Sequence, residues 1–130
     1  MWVFTTLGFF SVVQKKGTLL LTVRARVAKD LDKLRNRVLQ ELTPTILTPQ
    51  ADYPARATCT HDPWALAIAR LALMINYDTF KHEVDLDRQM PYLEIWQAAR
   101  GLEPEVKKYR QYLAGRTDVS PNPSRTSGNS

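Results

Sequence analysis

An α+β fold, a small antiparallel sheet with helices on one face, is what the chain predicts, and two observations predict it. Residues 1–27 are strand-like, with period-two alternation and many aromatic and β-branched side chains, whereas residues 29–42 change to apolar spacings of three and four and residues 62–75 form a helix start followed by an almost uncharged apolar run. The stretches also fall in the order ββαββα, from two hairpins, before a segment that reads as helix throughout. That order suits helices laid on one side of a sheet. We expect one domain over residues 1–115, with 76–115 as a helical extension. Residues 116–130, rich in Ser, Pro, Asn, Thr and Gly, are expected to form a disordered tail.

Residues 2–6 and 9–14 are strand-like runs parted by Leu7 and Gly8, where glycine allows a bulge or sharp bend. The second run meets residues 19–27 across Lys15-Lys16-Gly17-Thr18, a hairpin. On the returning strand Leu19, Leu21, Val23, Ala25 and Val27 are expected to face a core, and Leu20, Thr22, Arg24 and Arg26 to face away. Residues 29–42 then carry Leu31, Leu34, Val38 and Leu42 on one helical stripe, with Asp30, Lys33, Arg37 and Gln40 off it. Pro44 ends this helix through its bias on the preceding residue. Residues 45–48 read as a short strand. Residues 53–60 read as a longer one, with Tyr53, Ala55, Ala57 and Cys59 on one side and Pro54, Arg56, Thr58 and Thr60 on the other.

Asp62-Pro63 supplies a cap and a first-turn proline for the next helix, and residues 64–75 hold a single charge, Arg70. So apolar a helix is expected to be covered on nearly every side. Three shorter helices follow, at residues 78–84, 91–100 and 104–113. The second places Tyr92, Ile95, Trp96 and Ala99 on one stripe, and the third turns Val106, Tyr109 and Leu113 inward.

With 130 residues the chain can remove roughly two-thirds of its unfolded surface from water, so it needs no cofactor or disulfide to hold it, and no cofactor is expected. A net charge of +5 favours an anionic partner. The lone Cys59 excludes an internal disulfide framework and a multi-cysteine zinc site, and suits a reducing, cytoplasmic setting. Residues 1–13 are apolar but lack a basic leader and are broken by Thr5, Thr6 and Gly8. They read as strand, not as a signal peptide, and no membrane partner is expected.

No catalytic, metal or nucleotide motif of strength is present, and the chain reads as a binding protein more readily than as an enzyme. His61-Asp62 could act as a carboxylate-held base, but Asp62 is needed as a cap and no nucleophile accompanies it. His82-Glu83 lacks the second histidine of a zinc motif, and Glu83, Asp85 and Asp87 lack the spacing and turn glycine of a calcium loop. Cys59 falls on an apolar side and is expected to be a buried thiol. Trp2, Trp64 and Trp96 fall on apolar stripes and are expected to pack in a core.

The basic residues are the most informative. Residues 1–27 hold Lys15, Lys16, Arg24 and Arg26 and no acid. Alternation puts both arginines on the face opposite the apolar one, and Arg56 joins them if its strand lies beside the first hairpin. Forked guanidinium donors suit phosphate. We therefore expect contact with nucleic acid or a phosphorylated ligand through Arg24, Arg26 and Arg56, with Lys15 and Lys16 at the hairpin tip. The alternative is a protein-interaction, inhibitor or homo-oligomeric module that occludes a surface or pairs through its first strand, without catalysis.

The opening Met1-Trp2-Val3-Phe4-Thr5-Thr6 with Gly8-Phe9-Phe10-Ser11-Val12-Val13, the stretch Val23-Arg24-Ala25-Arg26, Asp52-Tyr53-Pro54-Ala55-Arg56-Ala57 and Asn76-Tyr77-Asp78-Thr79-Phe80-Lys81 together resemble a family of small uncharacterised bacterial proteins. The resemblance spans residues 1–84. It implies a bacterial or phage setting and no activity or functional residue.

Overall fold

A computed structural model describes residues 1–76 and 80–117. The chain forms two compact units, Met1–Tyr92 and Leu93–Ser130. The first is α+β. Its five strands, β1 (Trp2–Thr5), β2 (Gly8–Gln14), β3 (Leu21–Ala25), β4 (Ile46–Leu47) and β5 (Ala55–Cys59), form one antiparallel sheet in the order β1-β2-β3-β5-β4. Helix α1 (Ala28–Arg37) follows β3 and α2 (His61–Leu73) follows β5. Next come α3 (Phe80–Glu83) and α4 (Leu86–Ala98).

The bend expected at Leu7 and Gly8 is a complete hairpin. Thr5 pairs with Gly8, and the Thr5 hydroxyl accepts the amides of Leu7 and Gly8 at 3.1 and 3.2 Å. Three strands therefore precede α1. The core lies on one face of the sheet, where Phe10, Val12, Leu21, Val23, Ala25, Ala55, Ala57 and Cys59 meet Leu31 and Leu34 of α1 and Trp64 and Ala67 of α2. Cys59 is buried, as expected, and burial pushes its thiol pKa up.

Several boundaries move inward. Leu19, Leu20 and Val27 are exposed and lie outside β3. Helix α1 stops at Arg37, not Leu42, because Val38 and Leu39 both donate their amides to the Leu34 carbonyl. Arg35 also gathers the carbonyls of Leu42 and Thr43 as the chain reverses. Val38, Leu39 and Leu42 reach the core from that reversal. Thr60 precedes α2 without a side-chain cap bond, so Asp62 lies inside the first turn. Leu66 and Leu73 are exposed, as is Ile75 just beyond the helix, so α2 is buried on one side and not on nearly every side.

Asp30, expected to face solvent, is 1% exposed. Its carboxylate accepts the Phe9 amide at 3.3 Å and pairs with Arg88 of α4. It occupies space that only a glycine at position 8 leaves open, since a Cβ there would sit 2.4 Å from Asp30 Cγ. One turn beyond Arg88, the Tyr92 hydroxyl donates to the Thr5 carbonyl at 2.9 Å, and burial pushes its pKa up to about 12. These contacts explain why α4 begins at Leu86 and carries Pro91 internally, although a helix start at Pro91 is the simpler sequence reading. Tertiary anchors at residues 88 and 92 hold the turn on either side of the proline and outweigh its missing donor. The expected cap Asp78 lies outside the described residues.

The second unit holds the end of α4, a 3-10 turn (Ala99–Leu102) and α5 (Glu103–Thr117). Its helices carry short-range pairs, Arg100 with Glu103 at 3.0 Å and Lys108 with Glu105 at 3.1 Å. Trp96, Ile95, Tyr109 and Leu113, expected to turn inward, are all exposed. The Val106 side chain and residues 118–130 lie outside the described residues. Among the described residues no helix is long and apolar enough to cross a membrane.

Candidate functional site

The sheet face turned away from α1 and α2 is built by strand register. Trp2 pairs with Ser11, Ser11 with Arg24, and Arg24 with Arg56, so one cross-strand row runs through these four residues on β1, β2, β3 and β5. Phe4 pairs with Phe9 in the next row, and alternation places Arg26, just past β3, on the same side. In the opposite direction the row Val13, Thr22, Thr58 continues to Thr43, whose hydroxyl lies 3.2 Å from that of Thr58.

Tyr53 joins this face against expectation. Strand β5 begins at Ala55, so Tyr53 belongs to the preceding loop and escapes the alternation that would send it toward the core. Its ring lies 6.1 Å from that of Phe9 and carries two guanidinium groups, Arg24 at 4.6 Å and Arg26 at 4.7 Å from its centroid. Each cation over the ring contributes on the order of 0.5–2 kcal/mol. The loop also supplies acceptors: Arg26 Nη1 donates to the Asp52 carbonyl at 2.8 Å and Arg56 Nε to the Tyr53 carbonyl at 3.1 Å.

Arg24, Arg26 and Arg56 thus converge on one loop and one ring. Among the described residues none of the three forms an ion pair, although Asp30, Asp32, Asp85, Asp87, Glu103 and Glu105 all do with other cations. Arg24 donates through Nη2 to Ser11 Oγ at 2.7 Å, and its buried Nε has no hydrogen-bond partner among the described residues. Like charges directly opposite in a sheet are unfavourable. Arg24 and Arg26, both over the Tyr53 ring, lie no more than about 9 Å apart, a repulsion of at least about 2 kcal/mol at an effective dielectric near 20. An anion drawn to the cluster offsets that repulsion.

Lys15 and Lys16 are exposed at the β2–β3 turn. The structure does not bring them to the arginines, since four residues of strand separate Lys15 from Ser11, roughly 13 Å at strand rise. Trp64 is buried, as expected, whereas Trp2 is 69% exposed on the arginine face and Trp96 is exposed on α4. The aromatic members Trp2, Phe4, Phe9 and Tyr53 are what sequence reasoning missed. The signal was present: a two-residue hairpin at Thr6 and Leu7 puts Trp2 and Phe4 in register with Ser11 and Phe9, on the side of Arg24.

The other candidates part from one another. His61 opens α2 and His82 lies in α3, both exposed. Asp85 is taken by Lys33, whose hydrogen bond holds its carboxyl pKa below the ordinary value, and Asp87 lies 3.9 Å from Arg88. Comparisons with protein families, with curated proteins and with solved structures find no match to this chain.

Proposed function

We propose that this chain is a binding protein that receives an anionic, phosphate-bearing partner, nucleic acid or a phosphorylated ligand, on the sheet face of Arg24, Arg26 and Arg56. One observation carries the reading. Three guanidinium groups, two of them direct cross-strand partners, share one face, and among the described residues none of them is in an ion pair, Asp52 offering Arg26 its backbone carbonyl. Such an arrangement costs stability by itself, and sites that break local rules are where function is expected. Thr43 and Thr58 add hydroxyls farther along the same face, whereas those of Ser11 and Thr22 are buried in it.

Titration with a polyanion at several salt concentrations tests it. If three phosphates are neutralised, the logarithm of the affinity falls against the logarithm of salt with a slope of about −2 to −3. Arg26→Gln with Arg56→Gln flattens that slope by roughly one to two. Lys15→Gln with Lys16→Gln leaves it nearly unchanged, because roughly 13 Å of strand exceeds the Debye length of ~8 Å at physiological salt. Equal slopes for wild type and the arginine variant would remove the proposal.

A further inference from the structure

We infer that the partner of this face is a single-stranded nucleic acid, one of whose bases stacks on Trp2; this rests on the anion-binding reading above and narrows its ligand. A phosphate site needs cations alone. This face has in addition a row of rings interleaved with them, and the outermost ring is open. Trp2 is 69% exposed, while the other sheet-face aromatics are half-buried. Among the described residues its indole meets one ring only, Phe9, edge to face at 6.5 Å with the planes 80° apart.

Phe9 is in turn held parallel to Phe4 at 4.4 Å and tilted against Tyr53 at 6.1 Å. The Phe4 ring is braced by Tyr92 at 5.8 Å. Trp2 therefore stands against a packed aromatic base. Its cross-strand neighbour Ser11 holds the Arg24 guanidinium, so an open π-face and a phosphate donor lie in one row of the sheet.

An open indole two strands away from guanidinium groups in the same cross-strand row fits a nucleotide chain with unpaired bases: rings stack on the aromatic while the backbone follows the cations. A duplex fits poorly. Its bases are already stacked and paired, and its grooves are read by projecting helices or ribbons, whereas this face is the flat side of a sheet. A base-free polyanion would use the arginines and leave Trp2 idle.

The experiment uses the full chain carrying Trp96→Phe, so that Trp2 is the exposed indole and Trp64 remains buried. Oligothymidylate and oligouridylate of roughly 12 nucleotides, a duplex of equal length and inorganic polyphosphate are titrated against tryptophan fluorescence and anisotropy. The expected result is quenching by the single strands and none by polyphosphate. Trp2→Ala should weaken oligonucleotide binding roughly 5- to 100-fold, Trp2→Phe should retain most of it, and neither should alter polyphosphate binding.

The tighter of the two oligonucleotides distinguishes DNA from RNA. Quenching in the Trp2-bearing chain reads stacking directly, so a poorly folding Trp2→Ala leaves the question decidable. Binding of polyphosphate or duplex as tight as that of the single strands, with Trp2 unquenched, would overturn the inference and leave the anion-binding reading intact. Absence of binding to every polyanion would overturn that reading too, and point to a protein partner.

Discussion

Gly8 is the residue on which the amino-terminal corner depends. Its φ of +149° lies where other residues are strained, and the volume a side chain would need is already held by Asp30. Gly8→Ala should therefore destabilise the fold by about 2–4 kcal/mol, combining backbone strain with overpacking against a buried carboxylate. Urea unfolding measures this directly, and a loss under about 0.5 kcal/mol would mean the corner yields. The glycine was legible as a bend in the sequence, but its second duty was not. Asp30 lies one residue before Leu31 and four before Leu34, on the edge of the apolar stripe, where a carboxylate is ordinarily assigned to solvent. Only the Phe9 amide and the Arg88 guanidinium, distant in sequence, make its burial tolerable.

At the scale of elements, that ion pair ties α1 to the start of α4. Burial raises the Asp30 carboxyl pKa above its ordinary 3.8, and Arg88, the Phe9 amide and Lys33 pull it back only in part. The folded state therefore binds a proton more readily than the unfolded chain. Asp30's share of stability is greatest below the ordinary carboxylate pKa and declines as pH rises through the raised one. Arg88→Met removes the largest opposing influence and leaves a buried charge alone. It should cost about 3–5 kcal/mol at neutral pH, with the penalty shrinking as pH is lowered toward 4. Asp30→Asn with Arg88→Met should cost less than Arg88→Met alone. Thermal melts across pH check both statements, and a pH-independent penalty would mean that Asp30 is not the group responsible. The α4 boundary is set by the same contacts, which is why proline placement misjudged it.

At the scale of the molecule, the sheet ends at β1 on one side and at the two-residue β4 on the other. An exposed edge can pair with a second chain, which would favour the protein-interaction alternative. Here β1 is only four residues long. Its Thr5 carbonyl is taken by Tyr92. Short edges with occupied groups resist pairing. The expected outcome of light scattering at micromolar concentration is a monomer. A dimer abolished by proline at Val3 would shift support from the sheet face to the edge.

The sequence by itself determined the α+β class, the alternation that sends Arg24, Arg26 and Arg56 to one side, and the buried positions of Cys59 and Trp64, because these follow from periods of two and 3.6 within single segments. Tertiary structure alone decided that Tyr53 leaves its strand to lie against two guanidinium groups, that Trp2 is left 69% exposed on their face, and that Asp30 is buried with Arg88. Each of those depends on where a second, sequence-distant element comes to rest, and local periodicity carries no information about that.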